Sequence, residues 1–225
     1  MVKFHVKFLG TSSGEGIPRA GCDCPQCQST DKKDHRKRSA ILINNKYLID
    51  AGPDILKQLN RNQILNLERV IITHDHDDHI GGLKDLLRIN RDLVIMRLKA
   101  GQHFKLSGID FYAFKVKHSN IIPTMGVEID SLIYIPDIAS LDWAIKYLKE
   151  STIAILDGSV LGRTFGGHLS MYEIINETKN IKNLKSIYFT HNGHTKKTHW
   201  ELQKIVQQVG DKRYKIAYDG LKLEI

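Results

Sequence analysis

The chain has 225 residues, of which 41% are apolar and 26% are charged, and this composition excludes an intrinsically disordered protein. The 33 lysines and arginines outnumber the 25 aspartates and glutamates, and the formal net charge of +8 favours anionic partners such as phosphates or RNA. No apolar run approaches the roughly 18 residues of a membrane helix, and Lys3, His5 and Lys7 interrupt any signal-peptide core. We therefore predict a cytoplasmic protein without a membrane partner.

Apolar periodicity predicts many strands with helices between them. The predicted strands are 2–9, 39–44, 47–50, 67–73, 93–96, 109–116, 126–129, 132–135, 153–156, 186–190 and a terminal hairpin of 213–218 and 221–225 across Asp219-Gly220. The predicted helices are 54–60, 80–89, 141–149, 171–178 with a Ser170/Glu173 capping box, and 198–209. This order favours one α/β (α+β) domain over residues 1–225, with sheets packed on each other and helices outside.

A cluster of histidines and aspartates follows the predicted strand 67–73. Residues 74–79 read His-Asp-His-Asp-Asp-His. The imidazoles of His74, His76 and His79 and the carboxylate of Asp78 suit Zn²⁺, Mn²⁺ or Fe as ligands. A solvated acidic turn is the alternative. Because side chains of alternating orientation can converge on two centres, the cluster favours a metal site with one or two ions.

Three more ligand-type residues come just after predicted strands. His118 follows strand 109–116, Asp137 follows strand 132–135, and His191 follows strand 186–190. Each alone is more typical of a surface position or of a core position with a hydrogen-bond partner. Together with the cluster they form a set of seven ligands at one sheet edge, which favours a metal centre.

With these residues the chain resembles a metallo-β-lactamase-fold hydrolase over nearly its whole length. The resemblance rests on the cluster followed by Gly82-Leu83 and on the segments Gly10-Thr11-Ser12-Ser13, Asp50-Ala51-Gly52 and Tyr218-Asp219-Gly220. It implies a four-layer αββα sandwich with a dinuclear site along one sheet edge.

The resemblance also implies a role for each ligand. It assigns the first ion to His74, His76 and His118, the second to Asp78, His79 and His191, and the bridge to Asp137. Two divalent metals about 3.5–4 Å apart, Zn or Mn with Fe as a further candidate, hold a hydroxide that attacks phosphorus in line. The implied enzyme is a metal-dependent phosphoric diester hydrolase.

Three cysteines, Cys22, Cys24 and Cys27, lie within the polar stretch 10–38. Such a cluster can bind one structural Zn²⁺ if a fourth ligand comes from elsewhere, and a redox pair or free thiols are the alternatives. The spacing leaves His35 and His194 open as that ligand. One subgroup of the family, the phosphoribosyl cyclic phosphate phosphodiesterases of the carbon–phosphorus lyase pathway, combines these motifs, and this resemblance implies His194. The zinc would then hold the long loop 10–38 in a fixed conformation.

His168 precedes the helix 171–178 in a Gly-Gly-His segment. By resemblance it lies near the scissile phosphate, where it can stabilise charge or protonate the leaving group, and a helix-entry histidine is the alternative. Asp78 can also transfer a proton, and the sequence leaves the division between the two open. The basic run 32–38 is either a solvated face or an aid to phosphate steering.

These observations favour a phosphodiesterase that hydrolyses a small or cyclic phosphodiester. The first alternative is a tRNA 3′-processing endoribonuclease with RNA as its partner, which normally carries a basic arm that no segment here resembles. The second is a metal-binding module without activity, although no ligand of the set is missing. The sequence leaves a homodimer open.

Overall fold

A computed structural model describes residues 2–225. Its strands are β1 (His5–Gly10), β2 (Ala40–Ile43), β3 (Tyr47–Ile49), β4 (Arg69–Ile72), β5 (Val94–Arg97), β6 (His103–Leu106), β7 (Ile109–Val116), β8 (Thr124–Ile129), β9 (Leu132–Ile135), β10 (Ile153–Asp157), β11 (Ser186–Thr190), β12 (Tyr214–Ile216) and β13 (Lys222–Glu224). Its helices are α1 (Pro25–Gln28), α2 (Ile55–Gln58), α3 (Arg61–Leu65), α4 (Asp77–Ile80), α5 (Leu83–Ile89), α6 (Ile145–Glu150), α7 (Met171–Thr178) and α8 (His199–Val209).

The strands form two mixed sheets. The first has the order β13-β1-β2-β3-β4-β5, and the second has the order β12-β11-β10-β9-β8-β7-β6. Strands β3 to β5 are parallel neighbours, and so are β9 to β12, whereas the other neighbours are antiparallel. The parallel pairs are connected by crossovers that carry the helices, so the helices cover the outer faces of the sheets.

Three apolar cores hold these layers together. Phe8 and Phe111 belong to the core between the two sheets. Leu86 of α5 lies in the core under the first sheet, and Ile174 of α7 lies in the core under the second. The order is therefore helix, sheet, sheet, helix, which confirms the predicted αββα sandwich.

Local signals in the sequence account for several element ends. Asn44 and Asn45 have φ angles of 49° and 57°, a left-handed conformation that asparagine tolerates, in the three-residue connection between the paired residues Ile43 and Tyr47. The Ser170 hydroxyl accepts from the backbone of Glu173 at the start of α7, which confirms the predicted capping box. The pattern does not predict the edge strand β6 or the short helices α1, α3 and α4, because segments of four or five residues carry little periodicity.

The predicted terminal hairpin is wrong. Strand β12 pairs in parallel with β11 in the second sheet, whereas β13 pairs with β1 in the first sheet. The Asp219 carboxylate accepts from the hydroxyl of Thr11 and from the backbone N–H of Lys37, and so directs the chain from one sheet to the other. The turn predicted at Asp219-Gly220 is present. Tyr214 of β12 is buried in the core under the second sheet, which favours the pairing of β12 with β11.

The strand directions place several polar side chains at one edge of the sandwich. Strands β7, β9, β10 and β11 all end at the same edge of the second sheet, where His118, Asp137 and His191 follow. Strand β4 ends in the first sheet just before His74. Over residues 2–225, no helix has the length and apolar character needed to cross a membrane.

Candidate active site

The helix α4 folds the histidine–aspartate cluster back on itself. Its N-cap is His76, and the backbone carbonyl of His76 accepts from the N–H of His79. The helix lies so close to the segment after β3 that a Cβ at Gly52 would stand 2.1 Å from the carbonyl oxygen of Asp78. Only glycine fits at position 52, which explains the glycine of the Asp50-Ala51-Gly52 segment.

A first group of three imidazoles converges at the sheet edge. His74 Nε2 lies 2.9 Å from His76 Nδ1, which lies 3.4 Å from His118 Nε2. Two imidazole nitrogens on one tetrahedral zinc ion are expected to lie about 3.3 Å apart. The spacing of these nitrogens therefore fits one metal ion.

A second group lies beside it. His191 Nε2 is 3.0 Å from Asp78 Oδ2, and His79 Nε2 is 3.5 Å from the same oxygen. Asp137 Oδ2 is 3.0 Å from His79 Nε2, and Asp137 also lies 3.9 Å from His74 of the first group. Asp137 thus stands between the two groups, where a bridging ligand belongs.

Two buried atoms of this cluster lack hydrogen bonds within the described residues. They are His79 Nε2 and Asp137 Oδ2, which lie close together without the alignment that a hydrogen bond needs. Unpaired buried polar atoms are costly. Two ligand atoms that converge without bonding to each other are what a metal site requires.

The protonation states of His74 and Asp137 agree with metal binding. Burial, with the charge of His79 next, lowers the pKa of His74 to about 2, so this ring is neutral. Burial alone would raise the pKa of Asp137, but His191 and His79 hold it well below its usual range. Neutral imidazoles and ionised carboxylates are the forms that bind metals. Burial alone would lower the pKa of His79, but Asp50 and Asp137 raise it well above its usual range, so a metal ion would have to displace a proton from this ring.

Polar groups outside the seven ligands orient four of the five imidazole rings. His74 Nδ1 lies 3.0 Å from Thr73 Oγ1, and His79 Nδ1 lies 2.8 Å from Asp50 Oδ2. His118 Nδ1 lies 2.9 Å from the carbonyl oxygen of Gly167, and His191 Nδ1 lies 2.8 Å from Ser159 Oγ. Such partners fix the ring that faces a metal. Asp50 directly follows β3, as the predicted ligands follow their own strands, but nothing in the sequence indicates its role as a partner of His79.

His168 is held by the carboxylate of Asp157, a residue that no motif in the sequence indicates. His168 Nδ1 lies 2.7 Å from Asp157 Oδ2, and Asp157 is buried at the end of β10. Burial lowers the pKa of His168, but the hydrogen bond and charge of Asp157 more than offset this and raise it to about 9. His168 also lies 3.6 Å from Asp137. The Asp157 carboxylate therefore favours the protonated form of His168 at the edge of the ligand cluster.

The structure brings His194, and not His35, to the three cysteines. His194 Nε2 lies 3.4, 3.2 and 3.3 Å from the sulfurs of Cys22, Cys24 and Cys27. Nitrogen and sulfur on one tetrahedral zinc ion are expected to lie about 3.5 Å apart. The His35 ring instead bonds the carbonyl of Ser29 at 2.8 Å. We call Cys22, Cys24, Cys27 and His194 the cysteine knuckle, and their spacing fits one zinc ion.

We expect Cys24→Ser to remove one zinc ion per chain and to loosen the stretch 10–38. A structural zinc in a small site contributes about 10 kcal/mol or more of binding free energy at neutral pH, and the loop holds few apolar contacts to replace it. Metal analysis and limited proteolysis check this. Asp23→Ser, at the exposed position next to it, is the matched control and should keep the metal. Equal zinc content in both variants would contradict the knuckle.

The basic run 32–38 serves contacts within the fold. Arg36 is buried, and its guanidinium donates to Thr11 and to the backbone of Ala217. The other contacts are Lys37 to Asp219 at 3.5 Å, Arg38 to Asp54 at 3.0 Å, and Lys33 over the Trp200 ring at 4.2 Å. Most of this run is therefore neither a solvated face nor free to steer phosphate.

The candidate ligands open into a cavity of about 880 Å³. Its lining includes His168, His194, Arg19, Asn120 and the largely exposed ring of Phe165. A cavity of this size is typical of small-molecule sites. The site therefore combines a polar floor of metal ligands with a rim of mixed side chains.

Comparison with known proteins adds family evidence. The model of the metallo-beta-lactamase superfamily matches residues 36–170. An octanoyltransferase from Porphyromonas gingivalis is 25% identical over 253 residues, which cover 96% of this chain and 50% of that protein. The chain spans about half the length of the curated relatives it matches.

Two solved structures are similar over essentially the whole chain. A diphosphatase of the PhnP family is 26% identical with a TM-score of 0.86, and the match covers 100% of this chain and 98% of that chain. Zn²⁺-bound PqqB from Methylobacterium extorquens is 20% identical with a TM-score of 0.79, and covers 98% and 100%. The second likeness concerns the fold alone.

Proposed function

This chain belongs to the metallo-beta-lactamase superfamily, and on that premise we propose that it is a metal-dependent phosphodiesterase. Its substrate would be a small or cyclic phosphodiester of the phosphoribosyl cyclic phosphate type. The observation that carries the proposal is His168, which is held by buried Asp157 and lies in the same cavity as five of the seven candidate ligands. The likeness to a PhnP-family diphosphatase supports phosphate chemistry.

We assign the metal ligands as follows. The first ion would bind His74, His76 and His118, the second would bind Asp78, His79 and His191, and Asp137 would bridge them. Divalent ions at these positions supply Lewis acidity and lower the pKa of a bound water towards neutrality. Zn and Mn, with Fe as a further candidate, suit these nitrogen and oxygen ligands.

The side chains around the ligands divide the remaining work. Asp157 holds the Nδ1–H of His168, which leaves Nε2 to serve the substrate. From there His168 can donate a proton to the leaving oxygen or a hydrogen bond to a phosphate oxygen. Asp78 has one oxygen at His191 and His79, so we give it the role of ligand and proton acceptor. His168 is then the proton donor.

The test is turnover of a panel of cyclic and linear phosphodiesters, with tRNA included, by protein of measured metal content. We expect hydrolysis of a small diester and about three divalent ions per chain, two at the active site and one in the cysteine knuckle. Fully loaded protein that turns over nothing would overturn the proposal. Salt-sensitive cleavage of tRNA alone would favour the endoribonuclease, and one ion per chain would favour a metal-binding module.

Two further expectations belong to this proposal. We expect residues 1–225 to act as one domain, with the loop 10–38 stapled by the zinc. We also expect a cytoplasmic location, because thiols that bind zinc must stay reduced, and the three cysteines are free in the structure.

A further inference from the structure

Two exposed apolar side chains lie at the mouth of the active-site cavity. Among the described residues, Ile121 and Phe165 are the most exposed of the large apolar side chains, at 90% and 79%. Phe165 lines the cavity, and Ile121 directly follows Asn120, which also lines it. Single exposed apolar residues are common on protein surfaces, but two of them at the entrance of one cavity indicate a contact with a ligand.

A tight turn fixes Phe165 beside His168. The two residues exchange both backbone hydrogen bonds, from the N–H of Phe165 at 3.1 Å and from the N–H of His168 at 3.0 Å. Gly166 and Gly167 between them have φ angles of 60° and 83°, which are typical of a two-residue hairpin turn. Residues paired in this way project their side chains to the same face, with Cβ atoms about 5 Å apart. The Phe165 ring therefore lies on the same face of the turn as the His168 imidazole.

The turn is attached to the candidate metal ligands. A Cβ at Gly167 would lie 2.9 Å from the backbone oxygen of His118, so only glycine allows this close approach. The carbonyl of Gly167 accepts from His118 Nδ1 at 2.9 Å, and His168 Nδ1 lies 2.7 Å from buried Asp157. These contacts fix the backbone of Phe165 relative to the site where phosphorus would react.

We propose that Phe165 is a specificity-determining residue that packs against the group attached to the leaving oxygen of the substrate. This rests on the proposed phosphodiesterase function, in which His168 gives a proton to that oxygen. A group on an oxygen at His168 lies next to Phe165, because the two side chains share one face of the turn. The proposal narrows the substrate to diesters whose leaving alcohol carries an aromatic or branched apolar group, which would cover the exposed ring.

A matched pair of leaving groups tests this contact. Phenethyl methyl phosphate is compared with ethyl methyl phosphate, and kcat/KM is measured from the release of phenethyl alcohol or ethanol, two alcohols of similar acidity. Packing of the phenyl ring on Phe165 predicts a preference of about tenfold for the phenethyl ester. Phe165→Ala should reduce this ratio to about one, and Phe165→Leu should keep part of it. Trp143→Ala, which removes an exposed ring from a different cavity, should leave the ratio unchanged.

The group that stays on phosphorus provides the contrast. Phenethyl and ethyl esters of p-nitrophenyl phosphate both lose p-nitrophenol, so the group that differs between them is retained. The kcat/KM ratio for this second pair should be the same in Phe165→Ala as in the wild-type protein. A Phe165-dependent ratio for this pair alone would overturn the assignment of Phe165 to the leaving group.

Binding of phosphonates gives a readout that does not need turnover. For the metal-loaded wild-type protein, we expect the Kd of phenethylphosphonate to be about tenfold lower than that of ethylphosphonate in titration calorimetry. Phe165→Ala should bind both equally. Equal affinities in the wild-type protein, or a difference that persists in Phe165→Ala, would mean that the proposed contact is wrong. If the difference depends on Phe165 but no diester is hydrolysed, the contact stands and the phosphodiesterase proposal fails.

Discussion

Replacing Asp137 by asparagine is expected to lower kcat by about 1,000-fold or more and to reduce the metal content of the active site. Asp137 is the residue that reaches both ligand groups, with Oδ2 3.0 Å from His79 and Oδ1 3.9 Å from His118. A neutral amide cannot bridge two cations, and the electrostatic stabilisation lost is worth several kcal/mol. The buried, strongly ionised state of Asp137 makes this the most sensitive position of the site.

The measurement pairs steady-state kinetics with metal analysis of the same preparation. Asp92→Asn is the matched control, since Asp92 is an exposed aspartate at the opposite end of the sheets. The melting temperature tests for misfolding, because removing a buried carboxylate among histidines also changes the packing of charges. A well-folded Asp137→Asn protein that retains both ions and normal turnover would contradict the bridging role.

The candidate ligands could be predicted from the sequence because one rule of sheet geometry determines where they lie. Strands that run in the same direction end at the same edge of a sheet, and His118, Asp137 and His191 follow β7, β9 and β11, which share one direction. The strands themselves follow from apolar runs such as β9 and β11, whose predicted limits match the structure. The sandwich of four layers then required only the family resemblance, and the structure confirms it.

The hydrogen-bond partners of these histidines, Asp157 and Asp50, could not be predicted in the same way. Asp157 also ends a strand of this edge, but its task is to hold His168, eleven residues along the chain, and only the folded loop brings them together. Asp50 has a positive φ of 63°, and in this conformation its carboxylate lies 2.8 Å from His79 Nδ1. No pattern in the sequence predicts that backbone conformation. The predicted pairing of the two terminal strands was wrong for a related reason. An Asp-Gly sequence indicates a turn, but it does not indicate which sheet the strand before it and the strand after it join.

His168→Gln is expected to lower kcat by about 100-fold or more for diesters with poor leaving groups, since general acids contribute about 10²–10⁴. Asp157→Asn should produce much of the same loss, because it removes the charge that keeps His168 protonated. The double variant should then be hardly worse than His168→Gln alone, as expected of residues that act as a unit. His103→Gln and Asp110→Asn, an exposed pair 3.2 Å apart, are the matched control and should leave kcat unchanged.

The pH profile separates this role from a structural one. A raised pKa means that the donating form of His168 is complete at low pH and is lost as the pH rises through about 9. Asp157→Asn removes the main cause of that rise, so the alkaline limb should move to lower pH while the metal content stays the same. A proton donor also matters less when the leaving group is a good one, so His168→Gln should impair p-nitrophenyl esters less than alkyl esters. An equal loss for both would mean that His168 stabilises phosphate charge and that the proton reaches the leaving oxygen from elsewhere.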